Sequence, residues 1–240
     1  MNSFPRILVA VCTYNEAANI IPLVQRLRSA LPAADLIVVD DNSPDGTADL
    51  VRQFQVGDEK LRLHVREDER GLGGAILAAA QMAIDGKYDF FVNLDGDLSH
   101  DPAQLPSLLA VATGSAEVDV VVGSRYVEGG EIVGWPLRRR IMSWIVNRFA
   151  TLFLRLPLRD CSGSMRCYRV AALEKLDLAT LRCRGYALLE ELLVQLHRRG
   201  SVMKEVPITF TERQVGKSKL TFSEAIRSMS FMVHLVFAGK

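Results

Sequence analysis

The first 125 residues alternate between short apolar runs and helical spacings, and that alternation is the strongest constraint on the fold. Residues 6–11, 36–40, 61–65, 88–94 and 118–123 read as strands. Between them, 16–31 has helical spacing (Ile20, Leu23, Val24, Leu27, Leu31) with Asn15 as its N-cap. Residues 47–54, 75–84 and 102–112 complete the helical set. Strand and helix in turn predict an α/β fold, a mostly parallel sheet flanked by helices. In such sheets ligands bind outside the carboxyl ends of the strands. The pairs Asp40/Asp41 and Asp95/Asp97 fall at two such ends and Arg125 follows a third, so three strand ends converge on one rim.

The second half is less regular. A long helix over 138–156, a helix over 188–199, a strand pair around Pro207 (202–210), a polar loop over 213–220 and an apolar helix over 222–237 are expected. No linker divides the chain, which reads as one domain with a C-terminal helical extension. Of 240 residues, 49% are hydrophobic, and the formal net charge is +1, which excludes a disordered chain. That charge is unevenly spread. Residues 1–101 carry 16 acids against 9 bases (−7), and 102–240 carry 12 against 20 (+8). The imbalance suggests a cation site in the first half and an anionic partner for the second. Cys12, Cys161, Cys167 and Cys183 form no metal or CxxC spacing and read as reduced thiols in a cytosolic compartment. No signal peptide opens the chain, and no run reaches the roughly 18–20 apolar residues of a spanning helix. Nucleic acid is disfavoured, because no recognition motif occurs and the pI is only 7.7.

Asp95-Gly96-Asp97 is the sharpest motif. Two carboxylates one residue apart reach one hard divalent cation, which keeps substrate phosphates among its other ligands. A plain turn is the competing reading. In Asp40-Asp41-Asn42-Ser43, one carboxylate suits a nucleobase, and the other an Asx-type turn capping the helix at Thr47. Gly71-Leu72-Gly73-Gly74 matches neither a dinucleotide nor a Walker fingerprint, so a tight strand-to-helix turn explains it better than a phosphate cradle. Residues 138–169 hold eight Arg and one acid. A helix of this composition either lies on anionic head groups or is a core helix with snorkelling arginines. Arg213, Lys217 and Lys219 form either a basic loop over a pyrophosphate or a solvated surface loop.

Taken together, Val11-Cys12-Thr13-Tyr14-Asn15-Glu16, Asp40 to Thr47, Asp95 to His100, Gly123-Ser124-Arg125-Tyr126, Asp160-Cys161-Ser162-Gly163 and Gly216-Lys217-Ser218-Lys219-Leu220 resemble a dolichyl-phosphate (polyprenyl-phosphate) mannose synthase, an inverting family 2 glycosyltransferase. The resemblance covers about residues 5–222. It implies a GT-A fold, with residues 1–222 as the catalytic domain and 223–240 as an apolar helix for membrane or partner contact. It also implies transfer of mannose from GDP-mannose to a polyprenyl phosphate. By that likeness Tyr14, Glu16, Val39 and Asp41 line the nucleotide pocket. Asp95 and Asp97, with Gly96 between them, hold Mg²⁺ or Mn²⁺, and Arg213 and Lys219 grip the donor diphosphate. Arg125, Arg139 and Ser143 bind the acceptor phosphate, and the catalytic set is Asp97, Arg125 and Arg139. The chain departs from the family pattern at Cys12 (usually Pro), Gly96 (commonly Ala) and Ser99, where some members carry a metal-binding Gln. Glu191 matches a family acid of underived role, with solvation on a helix surface as the alternative.

A phosphate acceptor is already anionic, with about −1.5 to −2 charges near pH 7, so no protein base is required and the sequence need not offer a histidine beside the acidic rim. One displacement inverts the anomeric centre. The competing functions are the same transfer from UDP-glucose and a non-catalytic nucleotide-sugar or lipid-binding protein. The resemblance further implies a protein peripheral on the cytoplasmic face of a membrane, attached by its own helices or through a small membrane-anchoring subunit.

Overall fold

The structure is a computed structural model that describes residues 4–68, 70–213 and 230–235. Its centre is a seven-stranded sheet in the order β3-β2-β1-β4-β7-β5-β8. The strands are β1 (Ile7–Thr13), β2 (Asp35–Asp40), β3 (Leu61–Val65), β4 (Phe90–Asp95), β5 (Val118–Ser124), β7 (Arg166–Arg169) and β8 (Val202–Pro207). β6 (Glu131–Val133) and β9 (Thr209–Thr211) pair separately as a short parallel ribbon beside the sheet end. The helices are α1 (Ile20–Ala30), α2 (Thr47–Gln55), α3 (Leu72–Asp85), α4 (Leu105–Gly114), α5 (Leu137–Phe153), the single turn α6 (Val170–Leu173) and α7 (Leu188–Arg198). Residues 230–235 are helical, and the rest of the expected 222–237 helix lies outside the described residues.

The β1–β2, β1–β4, β2–β3 and β5–β8 pairs are parallel, as expected of strands joined through helices. β7 runs antiparallel to both β4 and β5 and separates them. It was not anticipated, nor was β6, because four and three residues are too few to show a period and β7 carries Arg166 and Arg169. One apolar cluster covers each face of the sheet. The first gathers α3, α7 and the 154–158 leucines, and the second gathers α1 and α4.

The first helix starts at Ile20, later than its spacing suggests, and Asn15 is not its cap. Asn15 instead sits at φ 56°, the left-handed region that Asn tolerates. The backbone N–H groups of Asn15, Glu16 and Ala17 donate to Ser43 Oγ, Thr47 Oγ1 and Asp45 Oδ2 at 2.9, 3.0 and 2.9 Å. Residues 14–17 are thereby spent on joining two strand ends rather than on a helical turn.

α5 is packed in reverse. Its fully buried residues are Asn147, Ala150 and Thr151, whereas Leu137, Ile141, Met142, Trp144, Ile145, Leu152 and Phe153 are exposed. The reading of 138–156 as a core helix is therefore not what the fold shows. Among the described residues no helix is long and apolar enough to cross a membrane.

Candidate active site

The carboxyl ends of β1, β2, β3 and β4 open on a cavity of about 700 Å³. Its wall includes Thr13, Tyr14, Glu16, Asp41, Asp95, Gly96, Asp97 and Arg213. Seven of the nine residues assigned to donor binding thus meet there: Tyr14, Glu16, Asp41, Asp95, Gly96, Asp97 and Arg213. Lys219 lies outside the described residues. Val39 differs, because its side chain is 0% exposed and packs in the core, opposite Cys12 in the strand register. The adjoining cavity wall is made by Cys12, Thr13 and Asp41.

Asp40 and Asp41, at the carboxyl end of β2, divide the roles expected of them. Asp40 takes the turn, accepting from Thr13 Oγ1 at 2.7 Å, Ser43 N at 2.7 Å and Ser43 Oγ at 2.6 Å. Asp45 anchors the start of α2 by accepting from Thr47 N and Oγ1 at 3.0 and 2.5 Å. Asp41 faces the cavity, where it accepts from Arg66 Nη1 at 2.6 Å and Gly71 N at 2.7 Å. Burial raises its pKa, and those two donors only partly oppose that.

The glycine run is a close-approach device. A Cβ on Gly71 or Gly73 would lie 2.7 Å from the Arg184 carbonyl oxygen or 2.6 Å from its carbon. Gly71 also holds φ +138°. Gly73 N donates to that same carbonyl at 2.9 Å. The tight-turn reading fits this arrangement, and the glycines bring residues 182–186 against the cavity. Glu191 holds that segment from behind. It is 2% exposed, and its carboxylate accepts from Arg182 N at 3.1 Å and Cys183 N at 2.9 Å. Solvation on a helix surface is therefore ruled out for it.

Asp95 and Asp97 stand on the cavity rim at the end of β4. Leu98 turns the chain at φ 60°, a strained value for a branched side chain, and Ser99 N donates to Asp97 Oδ1 at 3.0 Å. Ser99 is itself buried and does not line the cavity. Burial, and then the neighbouring Asp97, push the Asp95 carboxyl up to about 6. Two carboxylates one residue apart at an open cavity suit a divalent cation, with its remaining positions left to phosphate and water. Among the described residues no third His, Cys, Asp or Glu completes a cluster. Arg213 Nη2 lies 2.9 Å from Asp97 Oδ2.

A histidine stands behind this rim. His100 Nε2 is 3.8 Å from Asp95 Oδ2 and 3.1 Å from Ser164 Oγ. It is buried outside the cavity wall, and burial together with Arg125 lowers its pKa to about 4, which keeps the ring neutral.

Arg125, Arg139 and Ser143 are also brought together. Arg125 follows β5 and is buried in a bidentate pair with Asp160, with Nε at 2.7 Å and Nη2 at 2.8 Å, and also donates to Ser162 Oγ at 2.8 Å. Burial alone would raise Asp160, but Arg125 beside it holds that carboxyl below the usual range. Arg139 stacks 4.0 Å over the Trp135 ring, and Arg125 sits 5.7 Å from the same ring. Tyr126 OH donates to Ser143 Oγ at 2.8 Å. Glu212 accepts from Arg139 Nη1 at 2.5 Å. A cleft of about 300 Å³ lies against this group, lined by Arg125, Tyr126, Ile132, Arg140, Ile141 and Trp144 among others.

Arg66, Arg70, Arg182 and Trp135 were not anticipated at either site. Arg66 and Arg70 follow β3, and Arg70 stacks on Tyr14 at 5.1 Å and donates to its hydroxyl at 3.1 Å. The strand-end rule applied to β3 would have found both.

Comparison with known proteins places this geometry. A model of glycosyl transferase family 2 matches residues 8–177. The chain is 39% identical over 217 residues to an undecaprenyl-phosphate mannosyltransferase of Micrococcus luteus, covering 90% of this chain and 88% of that one. It is also 39% identical over 230 residues to a polyprenol monophosphomannose synthase of Mycolicibacterium smegmatis, covering 95% and 85%. Among solved structures, glucosyl-3-phosphoglycerate synthase of Mycobacterium tuberculosis, crystallised with Mn²⁺, uridine diphosphate and glucosyl-3-phosphoglycerate, superposes with a TM-score of 0.70. At 15% identity over 98% of this chain and 79% of that one, the likeness is one of fold, GT-A. The parallel sheet, its acidic rim and the matched residues agree: the chain is a member of glycosyl transferase family 2.

Proposed function

We propose that the protein transfers mannose from GDP-mannose to a polyprenyl phosphate, giving polyprenyl β-mannosyl phosphate and GDP. The observation that carries this reading is one dipeptide. Glu212 bonds Arg139 of α5, and its neighbour Arg213 bonds Asp97, so the acceptor cations and the donor acids meet across adjacent residues. A direct displacement needs such closeness, with reacting atoms about 3–3.5 Å apart. The names of the two relatives support the acceptor and the sugar.

In this reading Tyr14, Glu16 and Asp41 receive the nucleoside, and Arg70 braces Tyr14. Asp95 and Asp97 would hold Mg²⁺ or Mn²⁺, which when bound neutralises charge on the diphosphate. Arg213 turns from Asp97 to the leaving diphosphate, assisted by Lys219. Arg125, held rigid by Asp160, and Arg139, held on Trp135, bind the acceptor phosphate, with Ser143 as a further donor. Its own charge makes it the nucleophile, and neutral, buried His100 takes no proton. Attack opposite the leaving group inverts the anomeric centre.

The exposed apolar face of α5, with Arg138, Arg140, Arg148 and Arg155 around it, rests on an anionic lipid surface where the acceptor resides. We place that surface on the cytoplasmic side, where the four free cysteines stay reduced. Attachment is through this face, either directly on lipid or by way of a small membrane-anchoring subunit.

The test is an assay with radiolabelled GDP-mannose and a short polyprenyl phosphate, with EDTA, Mg²⁺ and Mn²⁺ arms and UDP-glucose in parallel. Metal-restored mannosyl transfer is expected. Transfer from UDP-glucose alone would replace the donor, and tight GDP binding without turnover on any acceptor would sink the enzyme reading.

A further inference from the structure

A helix that turns its apolar side chains outward needs something other than apolar burial to fix it to the protein. In α5 that something is Asn147, which is 1% exposed. Its Nδ2 donates to Ser143 O at 3.0 Å and to Ser162 Oγ at 2.9 Å. Its Oδ1 accepts from Cys161 N at 2.9 Å and Ser162 N at 3.2 Å, with Cys161 Sγ at 3.4 Å. An asparagine amide has two donor hydrogens and two acceptor lone pairs, and here both donors and both lone pairs are used.

These contacts join two separate segments. Ser162 Oγ, which receives the Asn147 amide, also receives Arg125 Nη2 at 2.8 Å. Ser143, whose carbonyl receives the same amide, bonds Tyr126 through its hydroxyl and lies one turn from Arg139 on α5. The Asp160–Gly163 loop holds Arg125 by hydrogen bonds, and α5 carries Arg139 and Ser143. We propose that Asn147 is the positioning residue that sets the distance between these two halves of the acceptor-phosphate site. It touches neither the phosphate nor the sugar. The inference rests on the reading of Arg125, Arg139 and Ser143 as acceptor ligands.

The chemistry of the side chain makes the role specific. Asn147→Asp keeps the size but sets a second acceptor against the Ser143 carbonyl and adds charge near Asp160. Asn147→Ala leaves Cys161 N without its acceptor inside the protein, a costly loss. A displaced helix moves Arg139 relative to Arg125, and misplacement of about 1 Å is enough to cost on the order of a hundredfold in rate.

The test has two arms on the full chain. In the first, steady-state kinetics of Asn147→Asp and Asn147→Ala are compared with wild type, alone and combined with Arg139→Ala. The expected result is a KM for short polyprenyl phosphate raised about tenfold or more, with GDP-mannose KM and calorimetric GDP affinity within about twofold. In the Arg139→Ala background the added loss should largely vanish, because both changes act on one contact. Equal losses for donor and acceptor, or full additivity with Arg139→Ala, would overturn the role. In the second arm, hydrogen exchange should accelerate across α5 in the Asn147 variants while β1 and β4 keep their protection. Unchanged exchange in α5 would overturn the role whether or not transfer occurs. Wild type that fails to use polyprenyl phosphate would refute the proposed function, and the exchange arm would still decide whether Asn147 pins the helix.

Discussion

The two ends of the sheet hold their functional groups by different means. At the β1–β4 end the strands are buried on both faces by apolar side chains, and the acids stand on a rim built by that packing. At the β5 end the groups are held by buried polar contacts: Arg125 on Asp160, Asn147 on Ser162, and Arg166 on three carbonyls. The first arrangement tolerates loss of an acid at the end of β4 such as Asp97, since the strands beneath do not depend on it. In the second, scaffold and site are the same set of bonds. Substitutions at the first end should therefore cost activity without stability, and those at the second should cost both.

The largest effect is expected at the rim. Asp97→Ala should lower transfer by about a thousandfold, several kcal/mol of charge stabilisation, while its melting temperature stays within a few degrees of wild type. Wild-type turnover in saturating metal would break the metal assignment, and gross unfolding would break the comparison. At the other end, Arg166→Leu strands the carbonyls of Cys161, Gly163 and Leu189, which Arg166 now satisfies at 2.5, 2.7 and 2.6 Å. A loss of roughly 3 kcal/mol follows, a melting shift of about 6–12 °C. Calorimetric scans with little change would show that those carbonyls find other partners.

Arg139→Ala is intermediate. It is half-buried and paired with Glu212, so it should raise the acceptor KM about tenfold and the GDP-mannose KM much less. Equal losses for both substrates would remove it from the acceptor site.

The last expected effect is a pH dependence of stability. Burial pushes the Glu190 carboxyl from 4.5 up to about 7, and its Oε2 finds no partner among the described residues. Below pH 4.5 both folded and unfolded chains hold the proton. Between 4.5 and about 7 only the folded chain holds it, so stability falls as pH rises through that window, by about 3 to 4 kcal/mol at most from this group. Glu190→Gln should flatten the slope and gain stability above pH 7, as followed by melting temperature against pH. An unchanged slope would assign the dependence elsewhere.

The contrast between the two ends also decides what could be read from the chain alone. Apolar runs and helical spacing locate β1 to β5, and strand-end position then points to Asp41, Asp95, Asp97 and Arg125. Val39 comes from the family likeness and not from strand position, and its side chain lies in the core beneath that rim. The roles of Glu191 and Asn147 stay hidden for a physical reason. Most of their partners are backbone N–H and C=O groups, which every residue carries and no motif records. The orientation of α5 is hidden too, since composition gives its apolar content but not the direction in which those side chains point.

The placement of β7 has a consequence for how the protein comes into being. β4 and β5 are separated in the chain by one short 3-10 turn and α4, yet they do not pair; β7, made more than forty residues after β5, lies between them. A nascent chain that has reached Ser124 therefore holds two apolar strands, each lacking the neighbour it will finally have. Unfilled edges of this kind invite pairing with other chains. The sheet cannot be completed in the order in which it is synthesised, and β1 to β4 must wait, with one flank open, for a polar four-residue strand to close it.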